Sequence, residues 1–189
     1  RFFRAVMILP LMMPPVVGAL MWKSMMTPDG ILNYLLGTIG IGPLQWLGSV
    51  QLALPSILLI DIWLYTPFAA LVLLAGLQAL PKEPFEAARV DGASPWVAFR
   101  TLTIPMLLPF LIIVGAFRGI DSLKIFDLIY ATTQGGPVDV TNTLAISTYF
   151  QAIRWTNFGT AMSYAIVLWA MCYLLAFILI RRWRRAMQG

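Results

Sequence analysis

Four long, mostly apolar windows constrain this chain more than any other feature of its sequence. They cover residues 5–22, 52–78, 104–130 and 158–180. A helix needs about 20 such residues to cross the hydrocarbon core of a bilayer. Because lipid offers no partner for backbone N–H and C=O groups, spanning segments of this length fold as helices. We therefore predict an all-α, polytopic membrane helix bundle with about four spans.

Composition supports a lipid environment and narrows the chemistry. Hydrophobic residues make up 60% of the chain and charged residues 11%, and the mean hydropathy of +0.82 lies well above that of soluble domains. Histidine is absent and Cys172 is the single cysteine. This excludes histidine-dependent nucleophiles, disulfide frameworks and His or Cys metal clusters. We expect neither a metal site nor an enzyme.

The distribution of positive charge predicts the orientation. Nine lysines and arginines precede the first window, separate the second from the third, or follow the fourth, whereas the opposite side carries Lys23 and Arg154. Cytoplasmic loops are enriched in such residues, so the 79–104 loop and the C-terminus are expected in the cytoplasm. Because the basic residues sit at the ends of apolar windows, they favour contact with membrane lipid and not with nucleic acid.

The 79–104 loop contains two sets of helix punctuation. Pro84 suits a first helical turn and Gly92 a C-terminal cap, and Ser94-Pro95 is an N-cap followed by a first-turn proline. Two short helices at an angle are predicted, each with an apolar face that would fit a groove on a partner protein. A DNA-reading helix-turn-helix is disfavoured by the few basic residues. A loop that folds back on its own bundle remains an alternative.

Several motifs of the chain resemble those of one known family. Glu86-Ala87-Ala88, Asp91-Gly92-Ala93 and Ile104-Pro105 are similar to the "EAA" loop of ABC importer permeases. The rest of the chain resembles sugar-importer permeases of the maltose and glycerol-3-phosphate type in three further segments: Asp61-Ile62-Trp63 with Pro67, Phe126-Asp127-Leu128-Ile129-Tyr130, and Gly135-Gly136-Pro137.

The resemblance implies a function and a set of partners. A family member is a multi-pass protein of the bacterial inner membrane that conducts a sugar, oligosaccharide or polyol. It works with cytoplasmic ABC ATPase subunits, a second permease subunit and an extracytoplasmic solute-binding protein. The loop, with Glu86, Ala87, Ala88, Asp91, Gly92 and Pro105, would dock into the ATPase. Because such permeases have more spans, residues 1–189 are expected to be one permease domain lacking one or two N-terminal spans.

Charged and polar residues within the apolar windows are candidates for a solute pathway. Asp61, Arg118, Asp121 and Lys124 lie within or at the edge of spans, where an unpaired charge costs at least about 2.5 kcal/mol. They therefore need partners or water. At about 100° per residue, Arg118, Asp121 and Ser122 share one arc of the third window and can face a common cavity.

The resemblance extends this pathway to the second window. It implies solute contacts at Trp63, Leu64 and Tyr65 there, and at Arg118, Asp121 and Ser122 in the third window. The rings of Trp63 and Tyr65 could cover the apolar face of a sugar. The alternative is a structural salt bridge, for instance between Asp61 and Arg118, that holds the spans together without touching solute.

The chain has no phosphate-binding loop, because none of its lysines follows a glycine. We expect no cofactor in this chain and ATP hydrolysis by a partner subunit. One rival function is a stand-alone channel or ion-coupled carrier, in which Asp61 and Asp121 would hold the ion. Another is a membrane-embedded enzyme using Ser122 and Lys124, but an i, i+2 separation places them on different helix faces.

Overall fold

The computed structural model describes residues 8–188, and their side chains as far as residue 184. These residues fold into helices and connecting turns, without a strand. After a helical stretch at residues 8–12, the helices are α1 (Pro15–Met25), α2 (Ile31–Gly37), α3 (Ala53–Ala79), α4 (Glu83–Val90), α5 (Pro95–Ala98), α6 (Ile104–Leu123), α7 (Asp127–Thr132), α8 (Leu144–Tyr149) and α9 (Phe158–Gln188). Two wide π-helical turns, Phe99–Thr103 and Phe150–Arg154, follow α5 and α8.

Within the described residues, three helices are long and apolar enough to cross a membrane. They are Ala53–Ala79, Pro95–Leu123 and Phe158–Arg184, of 27, 29 and 27 residues. At 1.5 Å per residue each is about 40 Å long, which exceeds the ~30 Å of hydrocarbon. The predicted helical membrane protein is confirmed, with three of its four windows found as long helices.

The remaining window, residues 5–22, falls partly outside the described residues. In its described part the helix stops at residue 12 and restarts at Pro15. Pro14 has extended backbone angles, φ −55° and ψ 135°, because two consecutive prolines disfavour a continuous helix. The 11 residues of α1 are about 16 Å long, too short to span a bilayer. The 5–22 window is therefore not one membrane-length helix in its described part, because consecutive prolines interrupt it.

The third window is displaced from its predicted bounds of 104–130. The helix begins at Pro95 and ends at Leu123, and α7 is a separate short helix. The second short helix expected in the loop is therefore the first turn of a membrane-length helix. Pro105 has no N–H to donate to the regular hydrogen-bond pattern of an α-helix. The π turn lies just before this proline, and the wider turn allows the helix to continue past it.

The chain divides into two compact units, of which the first comprises Arg1–Pro67 and Ser122–Met171. Its core joins α1, α3 and α7 through five buried side chains: Ala19, Met26, Ile60, Leu64 and Leu128. Gly18 permits the close approach of α1 to α3, since a Cβ there would lie 3.2 Å from Leu64. A second cluster joins Ile57, Ile129 and Ile146.

The second unit comprises Phe68–Asp121 and Cys172–Gly189. Among its described residues, Leu107 is the one buried hydrophobic side chain. Phe68 meets Phe117 edge-on at 6.0 Å. Gly76 lies directly against the ring of Phe110, because a Cβ there would be 2.7 Å from that ring. This unit therefore holds its helices together through a few close contacts and leaves most of its apolar surface exposed.

Candidate functional site

The first candidate site is the segment between two helices of membrane length, α3 and the helix Pro95–Leu123, and it begins with α4. Pro84 lies in the first turn of α4 together with two acidic residues, Glu83 and Glu86, and Arg89 lies in the last turn. This charge order complements the helix dipole. Gly92 ends the helix with a left-handed φ of +74°, a conformation that glycine adopts without strain. The sequence therefore specifies both ends of α4 locally.

The structure brings the predicted loop residues together along one short stretch. Glu86, Ala87 and Ala88 lie on α4, and Asp91 follows at its C-cap. Pro105 is more distant, in the first turn of α6. No side chain of α4 is buried. The loop lies against the end of α3, where Phe85 is half-buried, so the alternative of a loop that packs on its own bundle stays open.

A cavity of about 490 Å³ lies beside α4 within the second unit. Phe85, Glu86 and Arg89 contribute its wall on the α4 side. The residues lining the rest of it are Leu77, Gln78, Leu80, Pro81, Lys82 and Thr103. Sequence reasoning missed this cavity, because it depends on how α4 turns back beside the end of α3.

Aromatic and aliphatic side chains are exposed at the two helix ends that flank Gly92. Trp96 and Phe99 stack on each other with ring centroids 5.7 Å apart, which confirms that they share one face. Trp96 remains 69% exposed and Val90 88% exposed. Large apolar groups in contact with solvent are typical of surfaces that another molecule covers.

The second candidate site consists of the predicted solute-pathway residues on α3, which lie in the first unit. Trp63 meets Trp22 edge-on at 5.7 Å, and both rings pack against the α1–α3–α7 core. Leu64 is 2% exposed and belongs to that core, so its side chain packs internally and lines no open surface of this unit. Tyr65 is half-buried against the same core. The assignment of Trp63, Leu64 and Tyr65 to a pathway stays a prediction.

The charged pathway candidates lie on different parts of the chain. Asp61 belongs to the first unit, together with Ser122, and Arg118 and Asp121 belong to the second. Asp61, Arg118 and Asp121 each have an interaction partner in the structure. This agrees with the expectation that charges within apolar helices are paired. Contact of these four residues with solute stays a prediction.

An aromatic cluster that sequence reasoning did not identify surrounds Tyr149 in the first unit. Phe126, Tyr130 and Tyr149 have ring centroids 5.1 Å from one another. The hydroxyls of Tyr130 and Tyr149 lie 3.4 Å apart. This hydrogen bond, with desolvation and the charge of Tyr130, raises the pKa of Tyr149, although Arg154 opposes the shift. The i, i+4 spacing of Phe126 and Tyr130 was the available signal.

The segment Gly135-Gly136-Pro137, which is part of the family resemblance, follows this cluster's helix α7 as a turn. Gln134 and Gly135 both have positive φ, 53° and 94°. Thr141 secures the turn, because its hydroxyl donates to the carbonyl of Gly136 at 2.7 Å. Arg154 lies 4.5 Å above the ring of Phe150 and donates to Gln134 Oε1 at 3.4 Å. These contacts give the segment after α7 a defined shape.

Comparison with known proteins decides the family. Residues 1–188 match the family described as "Binding-protein-dependent transport system inner membrane component". The chain belongs to this family. It is 35% identical over 184 residues to the trehalose/maltose transport system permease protein MalF of Thermococcus litoralis, covering 96% of this chain and 62% of that protein. The predicted resemblance to sugar-importer permeases is thereby confirmed.

Two further relatives are permeases of the same kind. The probable ABC transporter permease protein y4oQ of Sinorhizobium fredii is 41% identical over 172 residues, or 89% of this chain and 55% of that protein. The lactose transport system permease protein LacF of Rhizobium radiobacter is 34% identical over 173 residues, or 88% and 58%. The chain thus spans 55–62% of the length of these three permeases.

A solved structure establishes the fold of this chain. The crystal structure of a bacterial ABC transporter involved in the import of the acidic polysaccharide alginate superposes with a TM-score of 0.85. The match covers 97% of this chain and 66% of that chain, at 21% identity. The all-α importer-permease fold predicted from the sequence is therefore confirmed.

Proposed function

We propose that the protein is a transmembrane permease subunit of an ABC importer and forms part of the pathway for a sugar, oligosaccharide or polyol. Membership of the binding-protein-dependent transport family supports import. Relatives named for trehalose/maltose and lactose transport support a polyhydroxylated solute. The observation that carries the proposal is α4, a short helix without buried side chains that lies between two helices of membrane length.

In this proposal α4 and the residues after it form the coupling segment, residues 83–99, which docks on a separate ATPase. The exposed Val90 and Trp96 would supply apolar anchors, and Glu86 and Arg89, which line the cavity beside α4, would supply charged contacts at the centre of the interface. Short helices with this pattern fit grooves on partner proteins. Because α5 continues through the π turn Phe99–Thr103 into α6, a displacement of the docked segment would be transmitted along a 29-residue helix.

The other parts of the proposed importer follow from the same assignment. The coupling segment and the C-terminus lie in the cytoplasm of a bacterial cell, where the basic residues concentrate. ATP is bound and hydrolysed by the partner subunits, and this chain holds no cofactor. A second permease subunit completes the pathway, and an extracytoplasmic solute-binding protein delivers the solute to it. Solute contacts come from Asp61, Trp63, Tyr65, Arg118, Asp121 and Ser122, and from Leu64 if α1 withdraws from it.

The test replaces Glu86 by Lys and Gly92 by Pro in the full-length permease within its transporter complex. Glu86→Lys reverses a charge in the proposed interface, and proline cannot adopt the φ of +74° at Gly92. Co-purification of the ATPase and uptake of radiolabelled mono- and disaccharides are both measured. Each variant is expected to lose about tenfold or more in both, as for a central interface residue.

Glu83→Lys is the matched control, because Glu83 lies in the same first turn of α4 but does not line the cavity. ATPase co-purification and sugar uptake are both expected to stay within about twofold of the unsubstituted protein, because an exposed charge at the edge of an interface contributes little. Membrane insertion of every variant is checked by quantifying the protein in isolated membranes. Uptake by Glu86→Lys without an associated ATPase would contradict the proposal and support a stand-alone carrier.

A further inference from the structure

The last long helix, α9, lines a cavity that has no part in the proposed transport function. The cavity has a volume of about 410 Å³ and lies within the second unit. Its described lining residues are Tyr173, Ala176, Phe177, Ile180, Arg181 and Arg184. They recur at intervals of three and four residues, so they form one continuous stripe along the helix.

The side chains of the stripe change from apolar to positively charged along its length. Residues 173–180 are aromatic or aliphatic, and Tyr173, Phe177 and Ile180 are 62%, 55% and 50% exposed. The two arginines follow on the same face, one helical turn further on. From residue 173 to residue 184 the stripe is about 16 Å long, comparable to one leaflet of the hydrocarbon core. A ligand along it would meet apolar groups first and two guanidinium groups at its far end.

This order of groups matches an anionic phospholipid. Guanidinium groups bind phosphate oxygens through paired, charge-assisted hydrogen bonds. A free inorganic anion would gain nothing from the apolar wall, and a lipid without net charge would gain less from two arginines. Both ends of the cavity are therefore used only by a molecule with a phosphate headgroup and an acyl chain.

We propose that the 173–184 stripe binds one anionic phospholipid, of the phosphatidylglycerol type, from the leaflet at the C-terminal end of α9. The phosphate lies between Arg181 and Arg184, and the first part of an acyl chain lies against Phe177 and Ala176. Arg182 carries the same charge on the next residue but does not line the cavity. The site is thus distinct from a general attraction between a basic tail and an acidic membrane.

The experiment uses the full-length permease in its transporter complex, in nanodiscs of phosphatidylcholine that contain a minor fraction of phosphatidylglycerol. Native mass spectrometry measures the ratio of phosphatidylglycerol to phosphatidylcholine retained on the protein. Arg181→Gln and Arg184→Gln are each expected to lower this ratio about fivefold, the effect of one basic residue near a headgroup. Arg182→Gln is the matched control and is expected to change the ratio less than about twofold.

Further variants test the charge and the apolar wall of the site separately. Arg181→Lys keeps the positive charge and is expected to retain most of the preference for phosphatidylglycerol. This variant therefore controls for misfolding of the helix end. Phe177→Ala should weaken lipid retention more than Ile178→Ala, since Ile178 is exposed but does not line the cavity. Equal losses for Arg181→Gln and Arg182→Gln would overturn the site. Displacement of the lipid by millimolar inorganic phosphate would overturn the choice of ligand.

Discussion

The two compact units of this chain differ in how much of their own surface they bury. Among the described residues of the first, ten hydrophobic residues are buried, distributed over α1 and its C-cap, α3 and the helices after Leu123. In the second, Leu107 alone is buried among the described hydrophobic residues. The second unit contains the proposed coupling segment and the 173–184 stripe, for which lipid binding is proposed. The first unit is therefore stabilised mainly by its own contacts, and the second leaves most of its apolar surface uncovered by its own chain.

The first unit also contains a part-buried network of side-chain hydrogen bonds. In the first unit the loop after α1 is organised around Asn33, whose amide donates to the carbonyls of Thr27, Pro28 and Leu44 at 3.0 to 3.2 Å. Its carbonyl accepts from the Leu44 amide and from Trp46 Nε1, both at 3.0 Å. The comparison teaches that a polar residue of a short helix, Asn33 on α2, can be as deeply buried as the core, while long apolar helices can remain loosely packed within their own chain.

The largest loss of stability is expected from a substitution at Asn33, in the first unit. Asn33→Ala removes all five hydrogen bonds of a side chain that is 6% exposed and leaves the indole N–H of Trp46 without its acceptor. A loss of about 3 kcal/mol is expected, since each buried group left unpaired costs about 1–3 kcal/mol. Tryptophan fluorescence during heating of the detergent-solubilised protein should show a midpoint about 10 °C lower.

Asn142→Ala is the control, because Asn142 is an exposed asparagine of the same unit that bonds to Asp139 and Ser147. Its midpoint should fall by no more than about 2 °C, the effect of a surface substitution. Equal midpoints for Asn33→Ala and the unsubstituted protein would show that the loop contributes nothing to the stability of the first unit.

The next prediction concerns how much the few close contacts of the second unit contribute to its stability. Gly76→Ala places a methyl group 2.7 Å from the ring of Phe110, so the ring must move or the helices must separate. Overpacking of this kind costs about 1–3 kcal/mol. Gly115→Ala is the matched variant in the same unit, because nothing lies within 4 Å of its Cβ position.

Opposite signs are expected for the two glycines. Gly115→Ala should raise stability by up to about 1 kcal/mol, since alanine is the better helix former. Thermal midpoints of both variants are measured in the same detergent. If Gly76→Ala also raises the midpoint, the contact between α3 and α6 is not tight, and the second unit depends even more on its surroundings.

Sequence reasoning predicted those parts of the fold that depend on local signals or on hydropathy alone. The second and fourth windows became α3 and α9, and Pro84 and Gly92 marked the bounds of α4. It did not predict which prolines end a helix and which are accommodated within one. The pair Pro14-Pro15 interrupts the first window, whereas the helix after Ser94 continues past Pro105 through a π turn.

The candidate sites were predicted unevenly for the same reason. Exposed residues of the coupling segment, such as Glu86 and Gly92, belong to a local motif that the sequence displays directly. The burial of Leu64 depends on Gly18 of α1, which is 46 positions away along the chain, and no helical period reveals that contact. Likewise, the Tyr130 and Tyr149 pair and the cavity beside α4 are tertiary features that only the structure brings together.

The smallest losses of stability are expected from removing a hydroxyl N-cap, and one such cap is compared in each unit. Thr143 caps α8 by accepting from the Ile146 amide at 3.3 Å and also donates to the Ile125 carbonyl at 3.4 Å. Ser94 caps α5 by accepting from the Val97 amide at 3.3 Å and is itself exposed. Loss of a cap costs about 0.5–2 kcal/mol. Thr143→Ala should therefore lie near the upper end of that range and Ser94→Ala near the lower end.

Hydrogen exchange measured by mass spectrometry distinguishes the two caps within one protein. Thr143→Ala should accelerate exchange in peptides containing Ile146 and also in those containing Ile125, because the hydroxyl links two segments of the first unit. Ser94→Ala should accelerate exchange only around Val97. Thr143→Ser keeps the hydroxyl and should restore the protection. If Ser94→Ala instead exposed amides throughout α6, the start of that helix would stabilise the second unit as strongly as Thr143 stabilises the first, and the contrast between the units would not extend to their helix ends.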